Sequence, residues 1–185
     1  MDKQKVDLSK YDNSWYSTKA SPLKRVLWYY CSLIFVKNHW NPLSSLKVFI
    51  LKIFGAKIGS NVRIKPGVNI KYPWLLTIGN NAWIGEDVWI DNLTEVVVGN
   101  NACISQGALL LTGNHNYKLE TFDLITGKII LEDGVWIGAK ALVCGGVSCG
   151  SHAVLTAGSV AATDLEAYQI YKGNPAIKYK ERTIQ

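Results

Sequence analysis

The 185-residue sequence is short of charge, proline and histidine: charged residues make up 18 %, with five prolines, three histidines and a single methionine. Low charge combined with 48 % hydrophobic residues excludes a disordered or low-complexity chain and leaves enough apolar material for a real core. The four cysteines, Cys31, Cys103, Cys144 and Cys149, form no CxxC pair and no zinc-ligand spacing. They read as reduced, small apolar residues of a cytoplasmic protein, and no metal site is expected. The first apolar run, within residues 22–37, is about a dozen residues long, too short for the roughly twenty that span a bilayer. The opening two dozen residues are polar, so no cleavable signal is expected.

The net charge of +6 is uneven. Residues 1–57 hold ten Lys/Arg against three Asp/Glu, whereas residues 58–185 hold ten against eleven. The basic character therefore belongs to the leader. The body lacks the basic face interleaved with exposed aromatics that nucleic-acid binding requires, so no nucleic-acid partner is expected. An anionic membrane surface suits the leader better, as a peripheral contact at the inner face.

What is abundant is a six-residue period. An aliphatic residue recurs every six positions, often followed by Gly, with a small or β-branched residue at the fifth position. The units begin at Ile58, Ile64 and Ile70, then Ile78, Ile84 and Ile90, then Val98, Ile104 and Leu110. After a break at about 116–130 they resume at Leu131, Ile137 and Val143, and continue through Cys149 and Leu155 to a degenerate unit at Ala161. Six residues make one flat β-segment and one bend, and three segments close a triangular coil. The aliphatic residue points inward and stacks on its counterparts above and below. Glycine at the second position is expected to accommodate the bend. The fold class is therefore an all-β solenoid, a parallel β-helix of about five coils. Sandwich strands do not repeat every six residues over so many units.

The expected organisation is a basic, aromatic helical segment at 1–57, the β-helix at 58–166 with an excursion loop at about 116–130, and a tail at 167–185. The leader helices, broken at Asn41–Pro42, either cap the open end of the prism or lie on a membrane surface, with capping favoured. Insertions in solenoids fall in loops on one face, often the functional one.

Histidine is the side chain best suited to take a proton near neutral pH. His115, in TGNHNY, stands where the chain leaves the prism beside that excursion. His152 occupies the fourth position of a regular unit and reads as an exposed bend residue, and His39 reads as structural. Position alone favours His115.

Several stretches resemble the hexapeptide-repeat acyltransferases, and among them the colanic-acid-type exopolysaccharide O-acetyltransferases. They are GAKIG (Gly55–Gly59), KYPWLLTIG (Lys71–Gly79), ISQGALLLTGNHNY (Ile104–Tyr117) and GNPA (Gly173–Ala176). Maltose and galactoside acetyltransferases resemble the chain more distantly. The resemblance implies left-handed winding, which periodicity does not decide, since parallel crossovers are right-handed in about 98 % of cases. It implies an acetyl-CoA-dependent sugar O-acetyltransferase of exopolysaccharide or cell-surface polysaccharide synthesis. His115 would be the general base that deprotonates the acceptor hydroxyl.

By the same resemblance, Gly138 and Ala139 are expected to supply a backbone donor to the thioester oxygen, and Trp136 to flank the pantetheine arm. Ala157 and Gly158 would line the coenzyme A track, with Lys172 or Lys178 on its phosphates. Asn114 and Tyr117 are candidate ligands of the carbohydrate acceptor, and Asp91 and Asn92, one coil earlier, are either acceptor ligands as well or ordinary turn residues. The implied assembly is a homotrimer with sites at subunit interfaces. The chain departs from the pattern at Ala162–Thr163, where Thr-Lys is common, at Ile177, where Lys or Arg is usual, and at Asn116, where Asp often follows the histidine.

Fold alone does not define function. An N-acetyltransferase acting on a nucleotide-linked amino sugar would use the same fold and base, and a non-catalytic β-helix scaffold would use neither base nor thioester. A zinc-dependent carbonic anhydrase of this architecture needs two closely spaced histidines, but His115 and His152 are 37 residues apart.

Overall fold

The computed structural model describes residues 5–185, so residues 1–4 of the leader segment lie outside the described residues. The body is a parallel β-helix with three flat faces. The first face stacks Lys57–Ile58, Leu76–Ile78, Val96–Val98, Ile129–Leu131 and Ser148–Cys149. The second stacks Arg63–Ile64, Trp83–Ile84, Cys103–Ile104, Trp136–Ile137, Val154–Leu155 and Gln169–Lys172. The third stacks Asn69–Ile70, Trp89–Asp91, Leu109–Leu111, Leu142–Cys144 and Val160–Ala161. All these pairings are parallel.

The register follows the repeat. On the second face Ile64, Ile84, Ile104, Ile137 and Leu155 stack in one buried column, and Ile70, Ile90, Leu110, Val143 and Ala161 do so behind the third. The fifth-position residues Ala82, Val88, Ala102, Ala108, Val135 and Ala153 are buried beside them.

The bend is made differently from the expectation. Left-handed backbone falls at the fourth position, on Asn61, Asn81, Asp87, Asn101, Lys140 and His152 with φ between 53° and 61°, and on glycines such as Gly67 and Gly134. Second-position glycines are needed for close approach instead: a Cβ on Gly79 would lie 2.6 Å from the Asn100 backbone nitrogen, and one on Gly138 2.4 Å from that of Ala157. At about 4.8 Å between strands, neighbouring coils leave no room there for a side chain.

Two boundaries also differ. The excursion expected as a loop at 116–130 is a β-hairpin arm: Gly113–His115 pairs antiparallel with Leu124–Thr126, and the coil is back in register at Ile129, opposite Val96. The residues expected as a tail from 167 extend the prism. Leu165 bridges to Cys149, Gln169–Lys172 adds a sixth strand to the second face, and Ile177–Glu181 folds back antiparallel on it. Buried Tyr171 takes the inward position that an aliphatic residue holds elsewhere, which hides this sixth, partial coil from the repeat.

The leader helices cap the first coil. Helix α1 (Pro22–Cys31) starts with Pro22 at its first position behind Ser21, whose side chain accepts from the Lys24 N–H. It runs into a π turn at Ser32–Val36, and helix α2 spans Ser44–Ile53. Trp28, Val36 and Leu51 close the hydrophobic column. Carbonyls at the open edge are satisfied from the helices: Trp28 Nε1 donates to Ile70 O at 3.1 Å, Ser44 Oγ to Ile64 O at 3.1 Å and Lys47 Nζ to Lys65 O at 2.9 Å. An unpaired sheet edge is thereby covered. No helix among the described residues is long and apolar enough to cross a membrane.

Lys47 is fully buried, and burial, which disfavours its charged form, holds its ammonium below the usual lysine range. The folded state therefore binds fewer protons than the unfolded chain between that lowered value and about 10.5. Stability should rise as pH climbs through this window. Urea unfolding of wild type and Lys47→Met across it should show the wild type gaining on the variant as pH increases; a constant difference would mean that the burial has no ionisation cost.

Candidate active site

The third coil leaves the prism at Gly113, where a Cβ would lie 2.5 Å from Leu93 Cδ1, so a larger residue there would require the Leu93 side chain to move. The arm then carries His115 on its inner stem, half-buried. The imidazole lies flat on Phe122, with ring centroids 4.5 Å apart and planes 5° from parallel, and Tyr11 of the leader tilts against it at 5.9 Å. Nδ1 is 2.9 Å from the Phe122 carbonyl oxygen. A carbonyl only accepts, so Nδ1 bears the proton and Nε2 keeps its lone pair, the tautomer a base requires. Phe122 reaches this position in left-handed backbone (φ 52°), which is uncommon for a bulky residue and clusters at functional sites.

The other arm residues divide by role. Asn116 does not orient the ring: its N–H donates to Asp123 O and its Oδ1 accepts from Lys118 N. Asn114 Oδ1 accepts from the His115 N–H at 2.8 Å, leaving its amide nitrogen exposed. Tyr117 stands at the tip, 73 % exposed. The leader straps the arm from outside: Asp7 N donates to Glu120 O at 2.9 Å, Lys10 Nζ meets Glu120 Oε1 at 2.6 Å, and Asp12 N donates to Asp123 Oδ1 at 3.3 Å.

Trp136 lies on the second face, away from the third face that gives rise to the arm. Its indole N–H donates to Ser105 Oγ at 2.9 Å, which holds the ring upright beside a groove of about 280 Å³. Gly138, Ala139, Thr156 and Ala157 form the far side of that groove. Thr156 and Ala157 continue into a cleft with Gly158, Lys172, Gly173 and Pro175. In the other direction Ser105, Gln106 and Trp136 open into a pocket of about 470 Å³ walled by Arg63, Trp83 and Glu86. The result is one continuous track along the second face. Its floor of Gly and Ala fits a thin, extended chain lying against backbone, as the pantetheine arm of coenzyme A is.

Four expected residues are revised. Gly138 is not the free donor, because its N–H is used at 2.7 Å by Leu155 O of the next coil; of that pair Ala139 remains. Lys178 is neutralised by Glu166 at 2.7 Å, whereas Lys172 lines the cleft with its ammonium 3.6 Å over the Tyr179 ring. Asn92 is fully buried, its amide donating to Tyr72 O at 2.7 Å and accepting from Tyr72 N at 2.9 Å. Asp91 is buried against Lys71, 2.9 Å away. These two hold the corner where the two-residue insertion shifts the chain between faces, as their reading as turn residues has it. His152 is a bend residue as expected, but half-buried and stacked on Tyr168 at 4.8 Å. His39 pairs with Asp87 at 2.8 Å.

Sequence reasoning missed Phe122, Tyr11, Trp83 and Arg63. Trp83 had a signal, since it occupies the same hexapeptide position as Trp136. Phe122 and Tyr11 had none, because a left-handed Phe and a distant leader residue meet His115 only in three dimensions.

No family model matches the chain. It is 39 % identical over 145 residues to the colanic acid biosynthesis acetyltransferase WcaF of Escherichia coli K12, covering 77 % of this chain and 80 % of that protein. The galactoside O-acetyltransferase of the same organism is 26 % identical over 154 residues, 81 % of this chain and 76 % of the relative. Among solved structures, a hexapeptide-repeat acetyltransferase of Vibrio cholerae superposes with a TM-score of 0.79 at 19 % identity, covering 90 % of this chain and 96 % of the other. A galactoside acetyltransferase in complex with coenzyme A gives 0.78 at 24 % identity, covering 88 % and 82 %.

The Nδ1–H tautomer is directly measurable. Nitrogen-15 NMR above the imidazole titration should show His115 protonated at Nδ1, against the usual preference for Nε2. Phe122→Gly, which keeps the left-handed turn but loosens the stack, should shift the population toward Nε2–H. Retention of Nε2–H in the wild type would remove the Phe122 carbonyl as its orienting partner.

Proposed function

The chain belongs to the hexapeptide-repeat acetyltransferases, as a relative of the colanic acid biosynthesis acetyltransferase, and from that premise we propose that it acetylates a sugar hydroxyl with His115 as general base. The carrying observation is the imidazole whose proton is fixed on Nδ1 by a backbone carbonyl, leaving a lone pair at Nε2. An alcohol attacks well only as its proton is removed, and a placed base is worth roughly 10²–10⁴-fold. Acetyl-CoA, when bound, supplies the activated acyl group. Trp136, Ala139, Ala157 and Gly158 would hold its arm along the track, and Lys172 would meet its phosphates. The Ala139 N–H is the rigid donor available to a carbonyl oxygen that gains charge.

The acceptor end of the track is the pocket of Arg63, Trp83, Glu86 and Gln106, which offers an aromatic face for a sugar ring and polar groups for its hydroxyls. Asn114 and Tyr117 on the arm are its complement. Because His115 and the track belong to different faces of one prism, a working site takes the base from one subunit and the track from its neighbour. A cyclic trimer closes such a heterologous contact. The setting is the cytoplasm, in the synthesis of a surface polysaccharide.

Thiol release from acetyl-CoA, with a panel of sugars, amino sugars and polysaccharide intermediates, tests the reaction. Acceptor-dependent release should fall by about 10²–10⁴-fold in folded His115→Ala; release untouched by the substitution would place the base elsewhere. The shared site has its own test. His115→Ala and Ala157→Trp should each be inactive alone, yet regain activity when co-assembled, since some interfaces then join an intact base to an intact track. Failure of co-assembled variants to recover would make the site intramolecular.

A further inference from the structure

The leader helices carry a second apolar face that the cap does not use. On α1 and its π turn, Trp28, Ser32 and Val36 are buried against the first coil, whereas Leu23, Val26, Leu27, Tyr30 and Ile34 are exposed. Those five follow the i, i+3, i+4, i+7 spacing of a single stripe. Helix α2 repeats the arrangement, with Lys47 and Leu51 buried and Phe49 and Ile53 more than 60 % exposed. Trp40, 67 % exposed, projects from the connection between the helices. Contiguous apolar exposure of this kind marks an interaction surface.

Charge narrows the partner. From residue 13 to residue 85 the chain carries ten Lys/Arg and no Asp or Glu. Arg25, Lys37, Lys52 and Lys57 are exposed around the stripes. A second copy of the chain docking cap to cap would bring two surfaces of net positive charge together. A nucleic acid would meet the charges but leave the aliphatic stripe without a counterpart. An anionic bilayer answers both: its acyl boundary accepts Leu, Val and Ile, its interface accepts Tyr and Trp, and its phosphates attract Lys and Arg.

We propose that the capped end of the prism docks on an anionic lipid surface, with α1 and α2 lying in the interface. This goes beyond the acetyl-transfer reading and stands without it. In a trimer of parallel prisms the three caps would share one side, so that weak single contacts combine.

The full-length protein is sedimented with vesicles of phosphatidylcholine alone or mixed with phosphatidylglycerol. Binding to the mixed vesicles should be at least about tenfold tighter and weaken with salt. It should fall by about tenfold in Leu23→Glu/Leu27→Glu/Ile34→Glu and in Lys37→Glu/Lys52→Glu. Acetyl transfer to a water-soluble acceptor, measured in parallel, should be unchanged in both variants, which shows them folded and separates this test from that of the reaction. Failure to bind either vesicle, equal binding to both, or binding undiminished in the apolar variant would overturn the proposal. A mass in light scattering that drops in the apolar variant, without vesicle binding by the wild type, would assign the face to a second copy.

Discussion

Everything in this molecule depends on the contact of one coil with the next. No coil buries its own apolar residue; Ile104 is buried because Ile84 and Ile137 stack on either side of it in register. That register demands close backbone approach at the corners, which glycine permits at the second position and left-handed Asn, Asp or Gly completes at the fourth. Stability is therefore of the nearest-neighbour kind, and each end of the stack requires its own solution. At one end helices close the column and supply donors to the open edge. At the other, Tyr171 and an antiparallel return strand do so.

A stack of flat faces also decides what kind of site is available. The faces are rigid and nearly featureless, good at lining an extended ligand with backbone and small side chains, and poor at surrounding a reacting atom. The track past Trp136, Ala139 and Ala157 is of the first kind. Chemistry needs a group that departs from the face, and the hairpin arm provides it. Its price is loss of support from the stack, met by the Phe122 ring beneath the imidazole and by the leader strap through Asp7, Lys10 and Asp12. The leader thus reaches both the end of the solenoid and the arm that bears His115.

The leader shows how one segment can satisfy two partners. An amphipathic helix that merely caps would be polar outside. Here α1 with its π turn has a buried side built on Trp28 and Val36 and an exposed side built on Leu23, Leu27 and Ile34. No Asp or Glu occurs between residues 13 and 85, so the excess positive charge of the molecule is concentrated at the capped end.

The six-residue period, by itself, determined the solenoid, its inward columns and the place of His115 beside an interruption, because periodic burial is written residue by residue along the chain. Trp136 and the small residues of the track came from resemblance to a family, not from the period. The sequence reading took the second-position glycines for the bends and missed the sixth coil behind Tyr171; between the two readings of Asp91 and Asn92, as ligands or as turn residues, it did not choose. Only the tertiary structure decided which nitrogen of His115 is free, since the Phe122 carbonyl seven residues on reaches the ring through a left-handed turn that no local preference announces. It alone separated Lys172 from Lys178, through the position of Glu166, and put the leader against the arm more than a hundred residues later. Burial patterns repeat and can be read in one dimension; the partner of a polar group is fixed by chain segments that meet only when the coils have stacked.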